Sequence, residues 1–219
     1  MGLPRIASYE LPEPGEYPAG RVDWPLDADR AVVLVHDMQR YFVDAFADAD
    51  GPVGRAVSNI ARLLDAARAA GVPIVYTAQP PDQDPAERGL LTDFWGPGLQ
   101  NAESAEIVDD LRPVEGDTVL TKWRYNAFLR TPLREMLAEQ GRDELVIVGV
   151  YAHIGCLLTA ADAFMNDIRP FLVADATADF SREEHLSALR YAAGRCARVL
   201  STQEVLADLA HADRQVSAR

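Results

Sequence analysis

Short apolar runs alternate with longer amphipathic segments along most of this 219-residue chain. Six of the runs are predicted strands, and the first, AVVLVHD, is a continuous apolar run with β-branched residues, which is typical of a strand buried on both faces of a parallel sheet. The segments between them repeat apolar residues at helical spacing. The pattern predicts a parallel sheet with helices on both faces. We place the strands at 31–37, 73–78, 118–122, 144–150, 170–176 and 198–201.

The first thirty residues differ from the rest because they carry five prolines. Such a segment cannot form a long helix or a central strand. We expect residues 1–30 to form an extended arm packed on a domain spanning 31–210, with a frayed tail at 211–219. Residues 79–101 read as a long loop between the second and third strands. Loops of this length inside a compact domain are often functional.

The net charge of −13 argues against nucleic acid and anionic membrane surfaces as partners. An anionic substrate would therefore need a local basic pocket. Two cysteines are too few for a disulfide framework, no apolar run approaches membrane-spanning length, and the first twenty residues lack the apolar core of a signal peptide. We expect a cytoplasmic protein.

Ligands of open parallel sheets bind beyond the carboxyl ends of the strands. The first strand ends at His36 and Asp37, and the second is followed by Gln79. The third ends at 122–125, and the fourth is followed by 151–155. A carboxylate, a lysine and several aromatic side chains are therefore expected to meet at one edge of the sheet.

Six sequence blocks in this order resemble the isochorismatase family. The resemblance extends from the arm to about residue 206, and the family belongs to a superfamily of cysteine hydrolases. It implies a three-layer α/β/α Rossmann-like sandwich with a six-stranded parallel sheet, and a homodimer. The blocks are VLVHDMQRYF, YTAQP, LLTDFWGPG, LTKWRYNAF, GVYAHIGC and VADATADFSREEH.

The position of the cysteine separates two branches of that superfamily. In the amidase branch the nucleophile lies seven residues before the Asp of the motif TA-x-DA, which is Asp162 here. The nucleophile position is therefore Gly155, as in the isochorismatase branch. Cys156 follows one residue later, and one helical step turns a side chain by about 100°. We expect Cys156 to point into the core between helix and sheet.

The resemblance implies hydrolysis of a vinyl ether, which needs a general acid and no protein nucleophile. Asp37 would protonate the terminal methylene carbon. Lys122 would hold the enolpyruvyl carboxylate or steady Asp37, and Gly155 would open space for the pyruvyl arm. A partly dry site raises the pKa of an aspartate and a neighbouring ammonium lowers it, so the sequence leaves the balance open.

The resemblance also implies the groups that bind the rest of the substrate. Arg88, with Gln79 beside it, would bind the second carboxylate and so supply the local positive charge. Trp95 and Tyr151 would pack against the ring of the substrate, and Phe42 would close one side of the pocket.

Other histidines and acids invite different chemistry. Asp179, Ser181 and His185 have the residue types of a hydrolytic triad, but the capping-box spacing of SREE explains the serine. We expect His153 to make a structural hydrogen bond. The zinc-binding Asp-x-His pattern of nicotinamidase relatives is missing, so we predict no metal and no cofactor.

Three enzymatic activities are considered for these residues. The first is isochorismate hydrolysis to 2,3-dihydro-2,3-dihydroxybenzoate and pyruvate, in siderophore, antibiotic or other secondary-metabolite biosynthesis. The second is hydrolysis of 2-amino-2-deoxyisochorismate, as in phenazine-type pathways. The third is a cysteine amidase using Cys156, and a non-enzymatic assembly partner is a further alternative. Asn126 replaces a serine that is typical of both the siderophore and the phenazine-type proteins that this chain resembles. Without an aryl-carrier domain, the chain would need a separate carrier protein downstream.

Overall fold

The structure is a computed structural model that describes the backbone of residues 2–216 and the side chains of residues 2–210. Six parallel strands form one sheet in the order β3-β2-β1-β4-β5-β6, which confirms the predicted parallel sheet. The strands are β1 (Ala31–His36), β2 (Ile74–Ala78), β3 (Thr118–Thr121), β4 (Glu144–Val150), β5 (Arg169–Ala178) and β6 (Arg198–Leu200).

Helices cover both faces of the sheet, so the fold is the predicted three-layer α/β/α sandwich. Successive side chains of β1 point to opposite faces. Val33 and Val35 pack with α2, whereas Val32 and Leu34 pack with α6 and α7. The helices are α1 (Arg40–Val43), α2 (Pro52–Ala69), α3 (Pro85–Arg88), α4 (Leu91–Trp95), α5 (Ala102–Ala105), α6 (Leu133–Glu139), α7 (Leu157–Met165), α8 (Arg182–Arg195) and α9 (Thr202–Val216).

The order of the strands determines where a ligand can bind. The chain builds the sheet outward from β1 to β3 on one side and then from β4 to β6 on the other. The direction reverses between β1 and β4, whose ends pair through His36 and Gly149. Crevices at such switch points are the usual ligand sites of open α/β sheets.

The proline-rich segment contacts the body of the protein at several points. The backbone N–H of Ile6 donates a hydrogen bond to Ala45, and Ile6 and Leu11 are buried. The hydroxyl of Tyr9 accepts a hydrogen bond from the backbone of Asp179. Apart from a 3₁₀ turn at Pro14–Glu16, residues 2–30, the described part of this segment, form no helix. The boundary at residue 30 stays a prediction.

The segment 79–101 is not the structureless loop that we expected. It contains α3 and α4, each of only four or five residues and each followed by a glycine with a positive φ. Helices this short lie below the length at which apolar periodicity can be recognised.

Two other regions extend the predicted pattern. The helix after β4 begins with a π turn at Ala152–Cys156. At the end of the chain, the backbone of α9 is helical as far as Val216, within the segment for which we predicted fraying, and residues 217–219 lie outside the described residues. Within the described part of the chain, no helix is both long and apolar enough to cross a membrane.

Candidate active site

A pocket opens at the carboxyl edge of the sheet, at the switch point between β1 and β4. It contains about 490 Å³ of empty space, including the part that opens to solvent. All eight predicted site residues line it: Asp37, Phe42, Gln79, Arg88, Trp95, Lys122, Tyr151 and Gly155. They share it with Leu3, His36, Tyr41, Leu91, Tyr125, Val150, Ile154 and Phe180. The structure therefore brings the predicted residues together, and their individual roles remain predictions.

A buried ion pair lies in this pocket. The Lys122 ammonium is 2.6 Å from Oδ2 of Asp37, and the two residues are only 1% and 4% exposed. Lys122 follows β3, where its backbone N–H donates to Ala78. Asp37 follows β1, so two strand ends on either side of β2 place the charges in contact.

Neighbouring polar groups fix the orientation of Asp37. The Thr77 hydroxyl donates a 2.7 Å hydrogen bond to Oδ1 and accepts one from the Asp37 backbone N–H. Asp37 itself has a φ of 50°, in the left-handed region that aspartate tolerates better than most residues. Gln79 approaches Oδ2 at 3.4 Å through Nε2. The carboxylate is therefore held in one position.

The structure indicates whether burial or the Lys122 ammonium has the larger effect on the pKa of Asp37, which the sequence left open. Burial acts to raise the pKa of Asp37. The Lys122 ammonium and the hydrogen bonds from Lys122 and Thr77 outweigh burial, so the pKa of Asp37 lies below its ordinary value. The carboxyl is consequently ionised at neutral pH in the ligand-free protein.

Arg88 brings a second cation to the pocket. It is 4% exposed, and its Nε donates to the carbonyl of Gly96 at 2.7 Å. Its Nη1 atom is buried without a hydrogen-bond partner among the described residues. Burial lowers the pKa of Arg88, as expected for a cation far from water. A buried guanidinium with a free donor is suited to a carboxylate ligand.

Glycine at position 98 makes this placement of Arg88 feasible. A Cβ atom there would lie 2.5 Å from Nη1 of Arg88, and Gly98 has a φ of 77°. The GPG turn after Trp95 therefore leaves room for the guanidinium. Asp37, Lys122 and Arg88 together give the pocket a net positive charge, the local basic site required by a chain with net charge −13.

Aromatic side chains form the walls. The Tyr151 hydroxyl donates to the carbonyl of Phe42 at 2.9 Å, and the Tyr151 ring lies edge-on to Phe180 with centroids 4.4 Å apart. Trp95 donates from Nε1 to the Tyr125 hydroxyl at 2.6 Å. Because the hydroxyl of Tyr151 is already engaged, this residue presents mainly its ring to a ligand.

The structure buries Cys156 as predicted and places His36 beside the glycine before it. Cys156 is fully buried in the core between the sheet and α7, and burial raises the pKa of its thiol. We expected Gly155 to open space for the pyruvyl arm, and that role stays a prediction. A Cβ atom on Gly155 would lie 2.7 Å from Nε2 and 2.8 Å from Nδ1 of His36. The side-chain space at residue 155 is therefore occupied by His36.

Sequence reasoning missed several residues that support the site. Gln39 is buried and makes two hydrogen bonds of 2.8 Å to the backbone of Gln79. Thr77 orients Asp37, and Phe180 and Leu3 line the pocket from distant parts of the chain. Gln39 and Thr77 could have been found as polar residues at the ends of apolar strands. The contacts of Leu3 and Phe180 depend on tertiary packing.

The other suspected residues have structural roles. Ser181 caps α8 by accepting a hydrogen bond from Glu184, and His185 is buried between the hydroxyls of Tyr9 and Thr177. The suspected triad is thus not assembled. Asn126 donates to Asp162 at 2.5 Å, which ties the segment after β3 to α7.

His153 makes the expected structural hydrogen bond, 2.5 Å from Nδ1 to Asp179. Burial acts to lower the pKa of His153, but Asp179 outweighs it and raises that pKa. Within the described residues, His153, Asp179 and Glu184 are the one group whose possible metal-ligand atoms lie within 4.8 Å of one another. The absence of a metal stays a prediction.

Comparison with known proteins shows the family of this chain. The family profile described as "Isochorismatase domain" matches residues 31–204. The "Isochorismatase" of Bacillus subtilis (strain 168) is 52% identical over 217 residues, which cover 99% of this chain and 70% of that protein. The "Enterobactin synthase component B" of Escherichia coli (strain K12) is 51% identical over 207 residues, 94% of this chain and 73% of that protein. The "Phenazine biosynthesis protein PhzD" of Pseudomonas fluorescens is 50% identical over 206 residues, 94% of this chain and 99% of that protein.

Together with these comparisons, the three-layer α/β/α fold and the buried Asp37–Lys122 pair define a hydrolase that has glycine rather than cysteine at residue 155. The chain belongs to the isochorismatase family.

Proposed function

We propose that this protein hydrolyses the enolpyruvyl vinyl ether of isochorismate to 2,3-dihydro-2,3-dihydroxybenzoate and pyruvate. The observation that carries the proposal is the buried Asp37–Lys122 pair in a pocket that also holds the unpaired Arg88. Isochorismate has two carboxylates, and the pocket supplies two cations. The similarity to the isochorismatase of Bacillus subtilis supports the same substrate.

The enolpyruvyl carboxylate binds Lys122 and the ring carboxylate binds Arg88. A carboxylate at Lys122 weakens the attraction between the ammonium and Asp37 and adds negative charge nearby, and both effects raise the pKa of Asp37. The protonated carboxyl then donates its proton to the methylene carbon. Water adds to the resulting oxocarbenium ion, and the hemiketal breaks its carbon–oxygen bond to release the diol and pyruvate.

The pH dependence of kcat/KM follows from the lowered pKa of Asp37. The acid form is needed for catalysis, and its fraction in the free enzyme decreases as pH rises above that pKa. We expect kcat/KM to increase as pH falls from 8 to 5, and the profile to move to higher pH in Lys122→Gln, where burial of Asp37 is no longer opposed by the ammonium. Initial rates of pyruvate release across this range test it, and coincident profiles would contradict it.

A second substrate is 2-amino-2-deoxyisochorismate. The specific support is the similarity to the phenazine biosynthesis protein over 99% of that protein's length. The two substrates share the vinyl ether and both carboxylates, so the groups described above serve either one. Pyruvate release from each substrate, followed with lactate dehydrogenase and NADH, decides between them by the ratio of kcat/KM values. Turnover of neither substrate would refute the proposed chemistry.

The cysteine amidase alternative is disfavoured because Cys156 is buried and its thiol is held protonated. Iodoacetamide is therefore expected to leave pyruvate release unchanged. Cys156→Ala should keep the activity and lower Tm by a few degrees, about the cost of a small cavity in a protein of this size. Peptide mass spectrometry checks the labelling, and loss of activity in parallel with Cys156 alkylation would restore the amidase alternative.

We also propose a cytoplasmic homodimer that passes its product to later enzymes, including a separate carrier protein. Three large apolar side chains of α7, Leu158, Phe164 and Met165, are exposed in the single chain and support self-association. Light scattering coupled to gel filtration measures the mass, and a monomer at micromolar concentration would refute the dimer.

A further inference from the structure

His36 is a buried pocket residue that the proposed mechanism does not use. It is 1% exposed, and its ring lies against the α-carbon of Gly155. A Cβ atom at residue 155 would fall on Cε1 of this imidazole, closer than two nonbonded carbon atoms can approach. In the amidase branch, this position is that of the nucleophile.

The imidazole is held where it is. Nδ1 lies 3.0 Å from the carbonyl oxygen of Val150, and Nε2 lies 3.1 Å from that of Tyr125. Burial lowers the pKa of His36 to about 4, against the opposing effect of Asp37, so the ring is neutral and its single N–H donates to one of these two carbonyls. The ring therefore fills a slot between β4 and the segment after β3 and cannot turn aside without losing its contacts.

We propose that His36 excludes a nucleophilic side chain from residue 155, because its ring occupies the space where such a side chain would lie. The ring and the glycine act as a matched pair: the glycine is required by the imidazole, and the imidazole keeps a thiol out of the site. The consequence for vinyl-ether chemistry rests on the function proposed above, whereas the steric relation does not depend on it.

A double-mutant cycle tests the steric relation. Gly155→Ala is expected to lower Tm by about 3–10 °C, the range for overpacking a core in a protein of this size. In a His36→Val background the same change should lower Tm by less than about 2 °C, because valine suits a strand end and lacks the ring atoms that meet the new Cβ. Gly194→Ala is the matched control, since a Cβ there meets nothing within 4 Å. An equal cost of Gly155→Ala in both backgrounds would overturn the proposal.

A second experiment measures chemistry rather than stability. The variants Gly155→Cys and His36→Val/Gly155→Cys are treated with iodoacetamide, in which the thiolate forms a sulfur–carbon bond and iodide leaves. We expect the new cysteine to be alkylated at least about tenfold faster in the double variant, with the buried Cys156 as internal standard. Peptide mass spectrometry locates the label. Equal labelling in both variants, or labelling of residue 155 in neither, would overturn the proposal.

Neither experiment uses isochorismate, so its result is separate from that of the turnover assay. A wild-type protein that turns over neither substrate would refute the proposed function and leave the His36–Gly155 relation to be judged by Tm and alkylation alone.

Discussion

Asp37→Asn is expected to lower kcat/KM for pyruvate release by about 10²- to 10⁴-fold, the usual contribution of a general acid. Asparagine keeps the shape of the side chain, but its single amide oxygen can accept from Thr77 or from Lys122 and not from both, since the two donate to different oxygens of Asp37. It cannot deliver a proton to carbon. The variant also leaves the Lys122 ammonium buried without its counter-ion, which costs about 3–5 kcal/mol of stability. Rates must therefore be measured well below the Tm of the variant, with its fold checked by circular dichroism.

Asp117→Asn is the matched control for this loss of stability. Asp117 lies before β3, at the opposite edge of the sheet, where its carboxylate is almost buried and pairs with Arg68 at 2.8 Å. The substitution removes an ion pair but no pocket residue. We expect Asp117→Asn to be destabilised with kcat/KM unchanged. Full activity in Asp37→Asn, or an equal loss in both variants, would contradict the role of Asp37 as the acid.

Arg88→Met is expected to lower kcat/KM by about 10²-fold or more, mainly through KM, because it removes a desolvated charge partner of the substrate. Most substitutions of buried residues lower Tm, but this one is expected not to. Nη1 of Arg88 has no hydrogen-bond partner among the described residues, so methionine removes an uncompensated buried donor. We expect Tm to stay the same or rise. Steady-state kinetics and thermal unfolding of one preparation check both effects.

Arg68→Met supplies the comparison for Arg88. The guanidinium of Arg68 is partly buried and already paired with Asp117, away from the pocket. Its loss should lower Tm and leave KM unchanged, the reverse of the pattern expected for Arg88→Met. An unchanged KM in Arg88→Met would show that the ring carboxylate is bound elsewhere.

The alternation of buried strands and amphipathic helices could be predicted from the sequence because the side chains of each segment determine its own secondary structure. Strand β1 is apolar from Ala31 to Val35 and buried on both faces, as the continuous run AVVLV predicts. The helices α3 and α4 were missed because four or five residues cannot show a helical period, and their ends depend on the glycines at 89 and 96. The π turn before α7 likewise has no local signature.

The candidate site was predictable as far as strand ends locate polar residues. Asp37 and Lys122 follow strands separated only by β2, so their meeting follows from the strand order. The lowered pKa of Asp37 could not be predicted, because it depends on whether a 2.6 Å ion pair outweighs burial. The close approach of the His36 ring to Gly155 could not be predicted from the sequence either, since it depends on how β1 and the turn after β4 approach each other.

The most direct test of vinyl-ether protonation is the fate of solvent isotopes during a single turnover of isochorismate in D₂¹⁸O. Protonation at carbon followed by water attack places one deuterium in the methyl group of pyruvate, which lactate dehydrogenase traps as lactate before it exchanges. The diol keeps the substrate's own oxygen and gains no ¹⁸O. Mass spectrometry that finds ¹⁸O in the diol, or pyruvate without the deuterium, would contradict protonation of the vinyl carbon through Asp37.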